Sequence, residues 1–148
     1  MFMKKIVLSL LGCCLAFQMQ AAELTWTTSL PEASAKAKKE NKLILLNFTG
    51  SDWCVWCKKL DADVFSKKEF VDYAAKNLVL VELDFPAAKK LPADLATANN
   101  ALKDKYSIEG YPTLIALKPD NTVVWKQVGY LEGGPKIVIG KLDAARKK

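Results

Sequence analysis

Two cysteines three residues apart, set among tryptophans in Trp53-Cys54-Val55-Trp56-Cys57-Lys58, carry the most chemistry in this chain. The run before them, Leu43-Ile44-Leu45-Leu46-Asn47-Phe48, is mostly apolar and of strand length, and Gly50-Ser51-Asp52 forms a loop between the two. Thiols at this spacing, where a strand gives way to a helix, can close a small disulfide across the first helical turn. The free N–H groups and positive dipole end of a helix start stabilise a thiolate there. That lowers the pKa of Cys54 and makes it the attacking group, while Cys57 resolves the mixed disulfide. The competing reading is a static structural disulfide. Position favours reactivity, because cysteines at a helix start are activated by where they sit.

The chain contains no histidine. That excludes Ser-His and Cys-His catalysis and any histidine-ligated copper or zinc. Four cysteines occur, and two of them, Cys13 and Cys14, fall in an N-terminal segment built like an export signal. Lys4-Lys5 is its positive region, Ile6 to Phe17 its apolar region, and Gln18-Met19-Gln20-Ala21-Ala22 its cleavage region. The apolar stretch is short for a transmembrane helix. Leu10-Leu11-Gly12-Cys13 loosely matches a lipoprotein signal, with anchoring at Cys13 as the alternative to simple cleavage. The expected organisation is a signal peptide over residues 1–22 and a single domain over residues 23–148.

Cutting 22 of the 148 residues leaves 126 and only Cys54 and Cys57. Two cysteines cannot complete a four-thiolate zinc or iron–sulfur site, so no metal and no cofactor are expected. They are also too few for a scaffold stapled by disulfides. Losing Lys4 and Lys5 lowers the formal charge from +6 to +4. The remaining lysines are dispersed, which reads as a solvated basic surface rather than a nucleic-acid platform.

The elements that must hold the cysteines follow from pattern. Leu24 to Thr27 reads as a short edge strand and Pro31 to Glu40 as a helix opened by Ser29 and Pro31. Leu43 to Phe48 suits a buried central strand. A helix runs from Cys54 to about Asp63, and Ser66-Lys67-Lys68-Glu69 reads as a capping box opening another through Lys76. Leu78 to Asp84 is a strand, Leu95 to Lys105 a helix, and Thr113 to Leu117 a strand. Pro119-Asp120-Asn121 turns that strand into a hairpin with Val123 to Val128, and a last helix spans Lys136 to Lys147. This order implies an α/β fold with parallel pairs, an antiparallel hairpin edge and helices on both faces.

The joint pattern resembles the thioredoxin superfamily. It comprises the apolar strand, Trp53-Cys54-Val55-Trp56-Cys57-Lys58, Gly110-Tyr111-Pro112-Thr113 opening a strand, the Pro-Asp-Asn hairpin, Gly129 and a terminal helix. Within it, Cys-Val-x-Cys-Lys, Asp61 four residues after Cys57, and Phe65-Ser66 are similar to exported bacterial disulfide reductases. The resemblance implies a thioredoxin fold, a central mixed sheet between helices with an N-terminal strand–helix extension. It also implies Cys54 as nucleophile, Cys57 as resolving thiol and a cis-proline at Pro112. A cis turn frees the backbone of residue 111 to pair with an extended substrate, with Tyr111 shaping the groove. Trp53, Val55 and Trp56 complete the expected substrate-facing set, with packing as the plainer reading of the tryptophans.

One departure concerns the proton. Thioredoxins carry a buried aspartate on the strand before the cysteines, and the nearest equivalent here is Asn47, which cannot accept a proton as a carboxylate does. Asp61 lies one helical turn beyond Cys57 on the same face and is the expected group to deprotonate it, ahead of Glu82 and Asp84. Lys58 is either surface charge or a Coulombic aid to a thiolate.

The resulting expectation is a monomeric periplasmic reductase of exported proteins, re-reduced by a membrane electron donor of the DsbD type. Oxidants resembling DsbA carry a histidine between their cysteines; Val55-Trp56 offers none, which points to a reducing potential. A disulfide oxidase, an isomerase and a redox-inert binding module share these residues and remain alternatives.

Overall fold

The structure, a computed structural model, describes residues 23–148. The expected signal peptide over 1–22, with Cys13, lies outside the described residues. In chain order the elements are β1 (Trp26–Thr27), α1 (Leu30–Glu40), β2 (Leu43–Thr49), α2 (Val55–Leu60), a π-helical turn (Asp61–Phe65) and α3 (Lys68–Asn77). There follow β3 (Leu78–Asp84), α4 (Ala93–Lys105), β4 (Thr113–Leu117), β5 (Val123–Val128) and α5 (Gly134–Arg146). The strands form one sheet in the order β1-β3-β2-β4-β5.

The two long apolar runs become the sheet centre. β2 and β3 pair in parallel from Leu43 opposite Leu78 to Thr49 opposite Asp84. β4 runs antiparallel to β2, and β5 completes the hairpin. A strand alternates its side chains, so each run feeds both faces. Leu43, Leu45, Leu78 and Leu80 point to one layer, where Phe70 of α3, Val138 and Leu142 of α5, and Leu60 of α2 cover them. Ile44, Leu46, Phe48, Val79, Val81 and Leu83 point to the other, against Leu30, Ala33 and Ala37 of α1. This thioredoxin fold, with its mixed sheet between helices, agrees with the sequence reading.

The same alternation has a consequence at one end of the sheet. Asn47 continues the Leu43, Leu45 face, and Glu82 continues the Leu78, Leu80 face beside it, since the two are register partners. Two polar groups therefore stand in the layer that α2 covers.

Two local expectations are corrected. The helix that opens at Cys54 does not remain regular to Asp63; it widens into the π turn at Asp61–Phe65. The extra residue in that turn lets both Val64 and Phe65 bury their side chains, with Phe65 against Trp26 and Phe70 at centroid distances of 5.2 and 5.1 Å. The capping box also fails. Lys67, not Ser66, is the N-cap of α3, and no side chain caps it. The Ser66 hydroxyl instead donates to the Ala62 carbonyl, 2.8 Å away, because Ser66 still closes the preceding turn.

Candidate active site at the Cys54–Cys57 pair

Strand β2 ends at Thr49, and the chain reaches the cysteines through a tight loop. The Cys54 N–H bonds the Gly50 carbonyl at 2.9 Å. Cys54 is the N-cap of α2, in extended conformation, and its Sγ accepts the Cys57 N–H at 3.1 Å. A sulfur thus takes the place that a hydroxyl or carboxylate oxygen holds at most helix starts. Cys54 and Cys57 are joined as a disulfide with Cα atoms 5.3 Å apart, and both are buried.

Around this pair the loop is fixed by its own side chains. Asp52 accepts the backbone N–H groups of Ala87 and Ala88 at 2.9 and 2.7 Å, and these bonds hold its carboxyl below the ordinary carboxylate range. Asp84 accepts the Ser51 N–H at 2.9 Å and its hydroxyl at 2.7 Å. Lys58, whose role the sequence left open, donates to the Asp52 carbonyl at 3.2 Å. The Trp53 indole N–H donates to the Phe85 carbonyl at 2.9 Å, and its ring meets Tyr111 edge-on at 5.7 Å. Gly50 lies under that ring; a Cβ there would sit 2.5 Å from the indole.

The expected substrate-facing residues gather round the disulfide. Trp53 and Trp56 are about half exposed and Val55 is 72% exposed. The Tyr111–Pro112 bond is cis, Pro112 is buried, and the Pro112 carbonyl accepts the Gly129 N–H at 2.8 Å. Tyr111 lies just outside the ladder, which begins at Thr113 opposite Val128. Trp56 tilts over Tyr130 at 5.7 Å, and the Tyr130 hydroxyl donates to Asp63 at 2.6 Å. Lys59 also donates to Asp63 at 2.8 Å; together these bonds keep the Asp63 carboxyl below its usual value. The Tyr130–Asp63–Lys59 group escaped the sequence reading, because nothing in local pattern links residue 130 to the cysteine helix.

Beneath Cys57 lies a cavity of about 240 Å³ that Asn47, Lys58, Asp61 and Glu82 help to line. Asp61 is exposed to solvent, whereas Glu82 is half-buried. Burial first, and the Asp84 charge second, push the Glu82 carboxyl above its ordinary value; Lys89 opposes them and Asp61 adds to them. Asp84, the other carboxylate considered from sequence, is committed to Ser51 and Lys89. No cluster of metal-ligating side chains occurs among the described residues. No helix among them is long and apolar enough to cross a membrane.

The chain is similar to known proteins. The thioredoxin-like family pattern matches residues 25–119. Disulfide bond reductase DsbH of Chlamydia pneumoniae is 35% identical over 127 residues, covering 86% of this chain and 75% of that protein. A solved structure of a DsbH oxidoreductase superposes with a TM-score of 0.79 at 33% identity, over 86% of this chain and 87% of that one. The C-terminal domain of Neisseria meningitidis DsbD in its oxidised form shares the fold, with a TM-score of 0.60 at 16% identity, over 82% of this chain and 99% of that one.

Two outcomes follow from the packing and charge. Gly50→Ala must displace an indole pinned by its hydrogen bond, so urea unfolding should show a loss of about 1–3 kcal/mol, accompanied by a change in tryptophan fluorescence. Glu82→Gln should unfold at higher urea than the parent at pH 7. A carboxyl with a raised folded-state pKa favours folding while protonated, below its unfolded value of 4.5, and loses that contribution as pH rises through the folded value. The advantage of Glu82→Gln should therefore shrink as the pH falls below that value.

Proposed function

The chain belongs to the thioredoxin-like family of thiol–disulfide oxidoreductases, and from that membership we propose that it is an exported disulfide reductase acting on other exported proteins. The observation that supports this reading most is the seat of Cys54 at the N-cap of α2, where the Cys57 N–H points at its sulfur. In the reduced protein the same N–H meets a thiolate. A hydrogen bond to the charged form and the dipole of the continuous turn both favour ionisation.

The steps are two displacements. The Cys54 thiolate attacks one sulfur of a substrate disulfide, and the other substrate sulfur leaves with the electron pair. Cys57, once deprotonated, attacks Cys54; the Cys54–substrate bond breaks and the substrate departs as a dithiol. Two electrons pass to the substrate, and the protein is left with its own disulfide. A membrane electron donor of the DsbD type restores the dithiol. No small-molecule cofactor takes part, because the electrons reside in the sulfur pair.

Substrate approaches over Val55 and Trp56, with Trp53 as a fixed wall and Tyr111-Pro112 offering backbone to an extended segment. Asp61, at the cavity rim, assists loss of the Cys57 proton. Residues 1–22 act as a cleaved leader, residues 23–148 work as a monomer, and the site of action is the periplasm. Reductase rather than oxidase direction is favoured by Val55-Trp56, which puts no histidine between the cysteines. The relative DsbH carries the reductase name in full.

Insulin reduction with dithiothreitol as electron source tests the activity. The parent should accelerate it, and Cys54→Ser should fall to background. Cys57→Ser should retain attack but accumulate mixed disulfides with exported proteins, visible as adducts that dithiothreitol removes. Activity that survives Cys54→Ser, or faster refolding of scrambled ribonuclease than reduction of insulin, would contradict the reading.

A further inference from the structure

Resolution requires Cys57 to lose a proton before its sulfur can attack, and burial in apolar surroundings resists thiol ionisation. The helix start does not help Cys57, since its N–H group is turned toward Cys54. What adjoins Cys57 instead is the cavity of about 240 Å³, which has room and polar lining for water.

Asn47 lines this cavity with its carbonyl oxygen buried and without a hydrogen-bond partner among the described residues. Its register partner across the parallel ladder is Glu82, on the same face of the sheet and lining the same cavity. An ionised carboxylate has no hydrogen to give that oxygen; a protonated one does. Asn47 can also turn its amide to donate, so it can serve either form of its neighbour. We propose that Glu82 takes the Cys57 proton during resolution, through water in the shared cavity, with Asn47 as the partner of its acid form. This inference rests on the disulfide-exchange reading of Cys54–Cys57.

Other charged groups set how well Glu82 can do this. Asp84, two residues along the same strand, and Asp61, from the π turn, disfavour its ionisation; Lys89, from the loop after β3, favours it. Lys58 lines the cavity from α2, but its ammonium is held at the Asp52 carbonyl. Burial adds to the two acids, and the balance raises the proton affinity of Glu82 toward that of a thiol. A base and an acid closer in pKa exchange a proton more readily near neutral pH. In the step, the Cys57 S–H bond breaks and the proton passes to the Glu82 carboxylate. The sulfur electron pair forms the Cys57–Cys54 bond, and the departing substrate sulfur keeps the pair of the broken bond. Glu82 then returns its proton to that sulfur or to water. Asp61 acts through Glu82, as a positioning charge.

Stopped-flow reaction of the reduced full chain with Ellman's reagent tests this. Cys54 attack releases one thionitrobenzoate in a phase that depends on reagent concentration; resolution by Cys57 releases a second in a phase that does not. In the parent, the second phase should accelerate as pH rises through a step above the ordinary carboxyl value of 4.5. Glu82→Gln should lose that step and slow resolution at pH 7 by roughly 10²-fold, while leaving the first phase intact. Asp61→Asn should keep the step and move it to lower pH. Urea unfolding of Glu82→Gln at pH 7 establishes that the variant is folded. An unchanged pH profile in Glu82→Gln, uniform slowing with the step retained, or loss of the step in Asp61→Asn alone would overturn the proposal. A parent that never releases the second thionitrobenzoate would instead overturn the disulfide-exchange reading itself.

Discussion

The contact on which this molecule turns is the one between the Cys57 N–H and the Cys54 sulfur at the start of α2. A helix begins with donors that have no partner in the helix itself. Here a sulfur meets one of them, and the chemistry of the pair follows from that position. The surrounding loop exists to keep the helix start where it is. Asp52 grips the chain after β3 by its backbone N–H groups, Asp84 grips Ser51, and the Trp53 indole is tied to Phe85. These bonds join the end of β2 to the end of β3, so the reactive turn is braced against the parallel pair of strands at the sheet centre.

A second constraint comes from the sheet. Alternation along β2 and β3 delivers leucines to the helix-covered face until the final turn, where Asn47 and Glu82 replace them. Polar groups in an apolar layer raise the energy of whichever form is left unpaired. The result is a carboxyl held more basic than usual, lining the same cavity as Cys57. The wall on the other side of the cysteines is built differently, from Trp56, Tyr130, Asp63 and Lys59, and presents an aromatic surface with its polar ends already satisfied.

Much of this was legible in the chain. The apolar runs of β2 and β3, the Pro-Asp-Asn hairpin and the cysteine spacing identified the fold, because each is local and matches its element's period. Element ends shifted by a residue or two, as at α4, which starts at Ala93 rather than Leu95. The π turn was not legible: it answers the demand to bury both Val64 and Phe65, a tertiary demand without a local code. The capping box misled for a related reason, since Ser66 was still engaged by the turn before it. Helical spacing pointed to Asp61 as the proton acceptor. Only strand register brings Glu82 beside Asn47, and Leu78-Leu80-Glu82 read with Leu43-Leu45-Asn47 was the signal that pointed there.

The direction of electron flow is set by how stable the Cys54–Cys57 bond is against the thiols it meets. The decisive quantity is the equilibrium of the Cys54–Cys57 bond against a dithiothreitol couple, followed by thiol alkylation and mass. A single two-electron transition is expected, at a midpoint near that of thioredoxin, about −270 mV. A pair that stays locked at every poise, or a midpoint close to the value of about −120 mV typical of DsbA, would contradict it.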